Sequence, residues 1–178
     1  NEKPDSLSFI GLTNFGREVV RRCNKLGVMV DVSHAGEQTF WDVIETTTKP
    51  IIASHSSVYN LCPHFRNLRD DQLRAVRDNG GVVFVNFYPG YVDSTFMGKA
   101  ELIDIKYELE RNELAEELGS NTDAYWYAES KLLMREKRSI APTINNVVDH
   151  IEYIANLVGV EHVGLGSDWD GVELMPTG

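Results

Sequence analysis

The sequence predicts an α/β fold with parallel strands buried between helices. Three observations predict it. Four short runs rich in Val and Ile are apolar throughout instead of alternating, the pattern of strands covered on both faces. Each run follows an amphipathic helical stretch, so helix and strand alternate four times along the 178 residues. Three of the four runs also end in a residue suited to metal binding or proton transfer, and parallel strands bring their C-terminal ends to one rim.

The elements follow in order. Residues 13–26 read as a helix, with Phe15, Val19, Cys23 and Leu26 on one face and Val20 beside them, Thr13 as N-cap and Gly27 as stop. Val28-Met29-Val30-Asp31-Val32 is the first strand and leads into Ser33-His34. A second helix covers 37–46, with Phe40, Val43 and Ile44 inward. Pro50 breaks the pattern, and Ile51-Ile52-Ala53 is the second strand, ending at Ser54-His55. A long loop, 56–69, precedes a third helix over 71–78, capped by Asp70 and closed by Asn79-Gly80-Gly81. Residues 82–87 form the third strand. Composition then shifts: 98–141 carries seven basic and ten acidic residues and reads as a helical insertion in a single domain spanning 1–178. Pro142 or Thr143 opens a fourth helix with Val147, Ile151, Ile154 and Val158 inward, and Gly159 stops it. The fourth strand, Val163-Gly164-Leu165-Gly166, ends at Ser167-Asp168.

Composition excludes several classes. Seventeen Lys and Arg against 27 Asp and Glu give a net charge of −10, a poor match to a phosphate backbone, so nucleic acid is not an expected partner. No apolar run approaches the ~18–20 residues that a transmembrane helix needs. Cys23 and Cys62 are too few for a disulfide scaffold or a Cys-rich zinc site. Both are expected as free thiols, with Cys23 in the core. Any metal is therefore held by histidines and carboxylates. The chain opens without Met and is expected to be part of a longer polypeptide.

His34, His55 and Asp168 close three separate strands. Two neutral imidazoles and a carboxylate at one rim suit a zinc-type centre. The competing reading is three polar residues that merely begin loops. His64 falls in a loop, and His150 and His162 lie within or beside the fourth helix, where surface or packing roles are expected.

Two blocks sharpen this: Ser54-His55-Ser56-Ser57 followed by Cys62-Pro63-His64-Phe65-Arg66-Asn67, and Gly166-Ser167-Asp168-Trp169-Asp170-Gly171. With Leu12-Thr13-Asn14-Phe15-Gly16-Arg17-Glu18, Val30-Asp31-Val32-Ser33-His34 and Gly81-Val82-Val83-Phe84-Val85-Asn86-Phe87, they resemble the membrane (renal-type) dipeptidases, peptidase family M19 of the amidohydrolase superfamily. The resemblance covers nearly all of the chain outside 98–141. It implies the C-terminal half of a TIM-type (β/α)8 barrel, strands five to eight, with a two-zinc centre at the rim. His34 and His55 match the metal-binding histidines after strands five and six. Asp168 matches the aspartate that handles the proton of the attacking water. Arg66 matches the arginine that binds the substrate's C-terminal carboxylate, and Tyr91 and Gly171 fall where the pocket is lined. A dipeptide substrate and a homodimer are implied in the same way.

The family's His-x-Asp pair and its bridging glutamate have no counterpart here; no His-x-Asp occurs in the sequence. The remaining zinc ligands are expected outside this chain, and the fragment alone is expected to be inactive. Another binuclear amidohydrolase, of lactonase, phosphotriesterase or deaminase type, and a catalytically silent fragment or scaffold are the competing readings. Arg66 separates the dipeptidase from the lactonase and triesterase, which need no carboxylate clamp.

Overall fold

A computed structural model describes residues 11–178. The opening residues Asn1 to Asp5 lie outside that range. Helix α1 (Asn14–Leu26) is followed by α2 (Glu37–Thr46), β1 (Ile52–Ala53), α3 (Asp70–Asp78), β2 (Val82–Val85), a single turn α4 (Pro89–Val92), α5 (Phe96–Lys106), α6 (Glu108–Leu118), α7 (Asp123–Ser139), α8 (Ile144–Val158), a 3₁₀ turn (Val160–His162) and β3 (Val163–Leu165). The result is mixed α/β, mostly helical, with a small parallel sheet in the order β1-β2-β3. Ile52 pairs with Val82, and Val83, Phe84 and Val85 pair with Val163, Gly164 and Leu165.

The expected first strand is reduced to one parallel bridge, Asp31 to Ile52. Its hydrogen bonds are nevertheless those of a strand: Ile52 N donates to Val30 O and Val32 N to Ile52 O, at 3.0 and 2.9 Å. Among the described residues the segment is paired on one side, and Val28 and Met29 are exposed. The expected burial of strands on both faces also fails in part. β2 alternates between half-buried and buried residues, and Leu165 of β3 is exposed. Thr13 caps α1 by accepting from Gly16 N, and Gly27 ends it at φ 72°, a left-handed position natural to glycine. Its inward face is corrected, however. Val20 is buried, while Phe15 is 78% exposed and Val19 and Leu26 are also exposed. α1 packs on α2 and leaves Phe15 exposed. Cys23 is half-buried rather than core; Cys62 is buried, and both are free.

The main core joins Phe40 and Val43 of α2, Ile51, Ala53, Leu73 and Val76, the β2 residues Val83 and Val85, and Val147, Ile154 and Val158 of α8. Helices α3 and α8 pack together against the sheet, which aims the C-terminal strand ends at one side. Stretch 98–141 folds as α5, α6 and α7, with α5 starting two residues early at Phe96. Ion pairs cross-link the three: Lys106 to Glu136 at 2.7 Å, Arg111 to Glu129 at 2.6 Å and Lys137 to Asp104 at 2.8 Å. A second core of Phe96, Ala100 and Leu174, with Met134 against it, ties these helices to the segment after β3.

His150 anchors α8. Its Nδ1 accepts from Val58 N at 2.9 Å and its Nε2 faces Val92 O at 3.4 Å. Nδ1 therefore carries a lone pair, and protonating it breaks the Val58 bond. Burial pushes the pKa down to about 4, against opposing contributions from the Val92 carbonyl and Asp149. A histidine depressed in the folded state stabilises fully above its unfolded value of ~6.5 and loses that contribution as pH falls toward the folded pKa. Unfolding free energy is therefore expected to fall by roughly 2–3 kcal/mol between pH 6.5 and 4 through this group. Denaturant titrations of wild type and His150→Leu should differ in pH slope within that window; identical slopes would refute the assignment.

Gly166 marks close backbone approach. A Cβ there would lie 2.0 Å from Ser54 O and 2.5 Å from Phe84 Cβ. Gly166→Ala is expected to cost about 1–3 kcal/mol or more, read as a lower denaturation midpoint.

Candidate active site

The site begins with the strand ends. Asp31, at the edge bridge, accepts from Ser33 N and Ser54 N through Oδ1, at 3.0 and 3.1 Å, and from the Ser54 hydroxyl through Oδ2. Burial alone would raise the Asp31 pKa, but these hydrogen bonds outweigh it and hold the carboxyl below its usual range. Asp31 is thus ionised and accepts a hydrogen bond from the Ser54 hydroxyl. The Ser54 oxygen then serves as acceptor for His55 Nδ1, 2.8 Å away. That relay leaves the His55 Nε2 lone pair pointing outward, an orientation typical of metal-binding imidazoles.

His55 Nε2 lies 2.8 Å from His34 Nε2. The His34 nitrogen is also 3.3 Å from Arg66 Nη2, and a guanidinium can only donate. Two ring lone pairs therefore converge, which is unfavourable unless a cation lies between them. Burial, then Arg66, then His55 depress the His34 pKa, which keeps the ring neutral and able to ligate. The pair fits zinc as far as it goes. Among the described residues no group of three or more His, Cys, Asp and Glu could hold a metal ion, so further donors are needed.

Arg66 is 8% exposed. Its Nε donates to Ser33 O at 3.1 Å and its Nη1 to the Tyr91 hydroxyl at 3.4 Å, and the head lies 5.4 Å from the Tyr91 ring centroid. None of these partners is a carboxylate. The nearby acids of the same loop are engaged elsewhere: Asp70 binds Asn60, Tyr153 and Arg74, and Asp71 accepts from Gln72 N. Asn67 holds the Arg66 loop by donating to Cys62 O and Tyr91 O at 2.8 and 2.9 Å. His64 is packed between Phe65 and Tyr91.

Asp168 follows β3 at φ 59°, and no other described non-glycine residue has positive φ. Gly171 N donates to its carbonyl at 3.0 Å, which closes a turn. A Cβ on Gly171 would lie 2.7 Å from Asp168 Oδ1, so glycine here leaves that oxygen room.

A cleft of about 820 Å³ brings His34, Arg66, Tyr91, Asp168 and Gly171 together; His55 reaches it through His34. Tyr88, Met97, Glu101, Asp104, Lys137 and Glu173 also line it and were not expected from sequence. Four of these lie on α5 and α7, whose charged composition resembles any solvated surface helix. His150 and His162 are packing residues; His162 Nδ1 lies 2.7 Å from Gly81 O. Among the described residues no helix is long and apolar enough to cross a membrane.

Residues 2–178 match the family described as membrane dipeptidase (peptidase family M19). An uncharacterized dipeptidase of Schizosaccharomyces pombe is 36% identical over 168 residues, 94% of this chain and 30% of that protein. Dipeptidase aclJ of Aspergillus oryzae is 33% identical over 178 residues, 100% of this chain and 32% of that protein. A protein of Klebsiella pneumoniae encoded in the pqqA 5′ region is 35% identical over 164 residues, 92% of this chain and 46% of its own length. The chain thus spans less than half the length of these relatives. A metallo peptidase from Rhodobacter sphaeroides, solved with a phosphinate mimic of the dipeptide L-Ala-D-Ala, superposes with a TM-score of 0.66 at 28% identity, over 93% of this chain and 36% of that one. The probable dipeptidase PvdM from Pseudomonas aeruginosa gives 0.65 at 27% identity, over 93% and 44%.

Proposed function

The chain belongs to the membrane dipeptidase family, peptidase family M19, and from that membership we propose that the protein carrying it hydrolyses dipeptides with zinc. The single observation that carries the reading is Arg66: a buried guanidinium with no carboxylate partner among the described residues, opening into the same cleft as His34 and Asp168. A buried cation without a counter-charge is costly unless a ligand supplies one. The C-terminal carboxylate of a short peptide is such a ligand, and a bidentate contact suits it.

The chain supplies strands five to eight of a TIM-type barrel, with 98–141 as an insertion that walls the cleft. The chain-order, all-parallel sheet and the strand-end residues support this arrangement. His34 and His55 would hold zinc through Nε2, with the other ligands from the rest of the polypeptide, where the relatives carry most of their length. Bound zinc supplies a water that ionises near neutral pH and an electrophile for the scissile carbonyl. Asp168 accepts the proton of the attacking water and delivers it to the leaving amine. Arg66 fixes the substrate's carboxylate, Tyr91 steadies the guanidinium, and Gly171 keeps space beside Asp168.

The test uses the full-length protein. Chelation is expected to abolish turnover of a dipeptide, and added zinc to restore it. Turnover that survives exhaustive chelation would refute the metal assignment. A lactone cleaved in place of any dipeptide would transfer the protein to another amidohydrolase activity.

A further inference from the structure

Asn86 directly follows β2, and the reading above gives it no task. Asn86 is 0% exposed. Tyr88 N donates to its Oδ1 at 2.6 Å, so the amide cannot be flipped and Nδ2 is the end that faces Asp168. That Nδ2 donates to Asp168 Oδ2 at 3.0 Å. The Asn86 backbone is held as well. Its carbonyl accepts from the Ser57 hydroxyl at 3.3 Å, and Ser57 N donates to Asn67 Oδ1 at 3.2 Å. Asn67 is the residue that pins the Arg66 loop. One buried network therefore joins the Asp168 carboxylate to the loop bearing the guanidinium. On the other side of the contact, Asp168 sits in the left-handed region, where a non-glycine residue stays only if its surroundings over-determine it.

We propose that Asn86 is a positioning residue for Asp168: by occupying Oδ2 it turns the carboxylate so that Oδ1, beside Gly171, is the atom presented to the cleft for proton transfer. The proposal rests on the reading of Asp168 as the proton carrier. A filler of buried space would serve the fold alike whether or not Asp168 can accept a proton. A positioning residue matters only while Asp168 can.

A double-mutant cycle in the full-length enzyme separates the two. Asn86→Ala is expected to lower kcat for a dipeptide about 10- to 50-fold with KM changed less than about threefold, and to cost less than about twofold when added to Asp168→Asn. Equal losses in both backgrounds would overturn the proposal. Asn86→Asp is the second variant. It keeps an acceptor for Tyr88 N and the side-chain volume but loses the donor to Asp168, so its kcat is also expected to fall at unchanged KM; wild-type kcat would count against the proposal. A crystal structure of Asn86→Ala gives a readout independent of turnover. The Asp168 carboxylate is expected to leave the Oδ2 position it holds here, and an unmoved carboxylate overturns the proposal. If wild type cleaves no dipeptide, the dipeptidase reading falls, while the crystal structure still decides the positioning claim.

Discussion

Asp168→Asn in the full-length protein is expected to lower kcat for a dipeptide by about 10²–10⁴-fold, the range for loss of a general acid–base group. The substitution changes little else. Asparagine is isosteric with aspartate, and its amide oxygen can accept from Asn86 Nδ2 as Oδ2 does now. The left-handed φ of 59° suits asparagine as well as any non-glycine residue, so the turn to Gly171 is retained. The His34–His55 pair and its Asp31–Ser54 relay involve different atoms, and zinc content is expected to stay at the wild-type level. What the proposed mechanism loses is the ability to hold a proton between the attacking water and the leaving amine. Asp170, two residues on and exposed, is the control, with Asp170→Asn expected within about twofold of wild type. An Asp168→Asn variant with unchanged kcat would remove Asp168 from the mechanism.

The site was legible in the sequence to the extent that strand ends are legible. Val32, Ala53 and Leu165 each lead within a few residues to a polar group, and parallel pairing turns three separate sequence positions into one rim. The same logic applied to Val82–Val85 points to Asn86, but an amide neither transfers protons nor binds zinc well, so its residue type alone signals nothing. Its role depends on the distance to Asp168, 82 positions away. Helix limits were readable because Thr13, Gly27, Thr143 and Gly159 act locally. The buried face of α1 was not. Periodicity reports which residues are apolar, and the choice of Val20 over Phe15 is made by where α2 packs. The lining from α5 and α7 was hidden for a related reason. Met97, Asp104 and Lys137 become cleft residues only because Phe96 and Ala100 dock on Leu174, after β3. His150 read as an ordinary helix residue, since its partners Val58 and Val92 are backbone atoms and leave no trace in the sequence.

Amidating the C-terminus of a dipeptide substrate is expected to cost about 2–4 kcal/mol in kcat/KM, because a charge-assisted contact is lost in a partly desolvated pocket. The argument runs through the present partners of Arg66. Ser33 O accepts from Nε, which fixes the plane of the guanidinium, while among the described residues Nη1 and Nη2 reach only Tyr91 at 3.4 Å and His34 at 3.3 Å. Both contacts are long for hydrogen bonds, so the two terminal nitrogens remain available as a fork. A carboxylate meets that fork with two parallel bonds; an amide offers one acceptor and no charge. Arg66→Ala in the full-length enzyme is expected to erase the difference between acid and amide substrates, and Arg66→Lys to restore part of the activity, since a point charge cannot reproduce the fork. Folding of both variants is followed by thermal denaturation, because the Nε bond to Ser33 O also holds the loop beside His34. Equal kcat/KM for acid and amide in the wild-type enzyme would make Arg66 a structural residue and leave the dipeptidase assignment without its distinguishing contact.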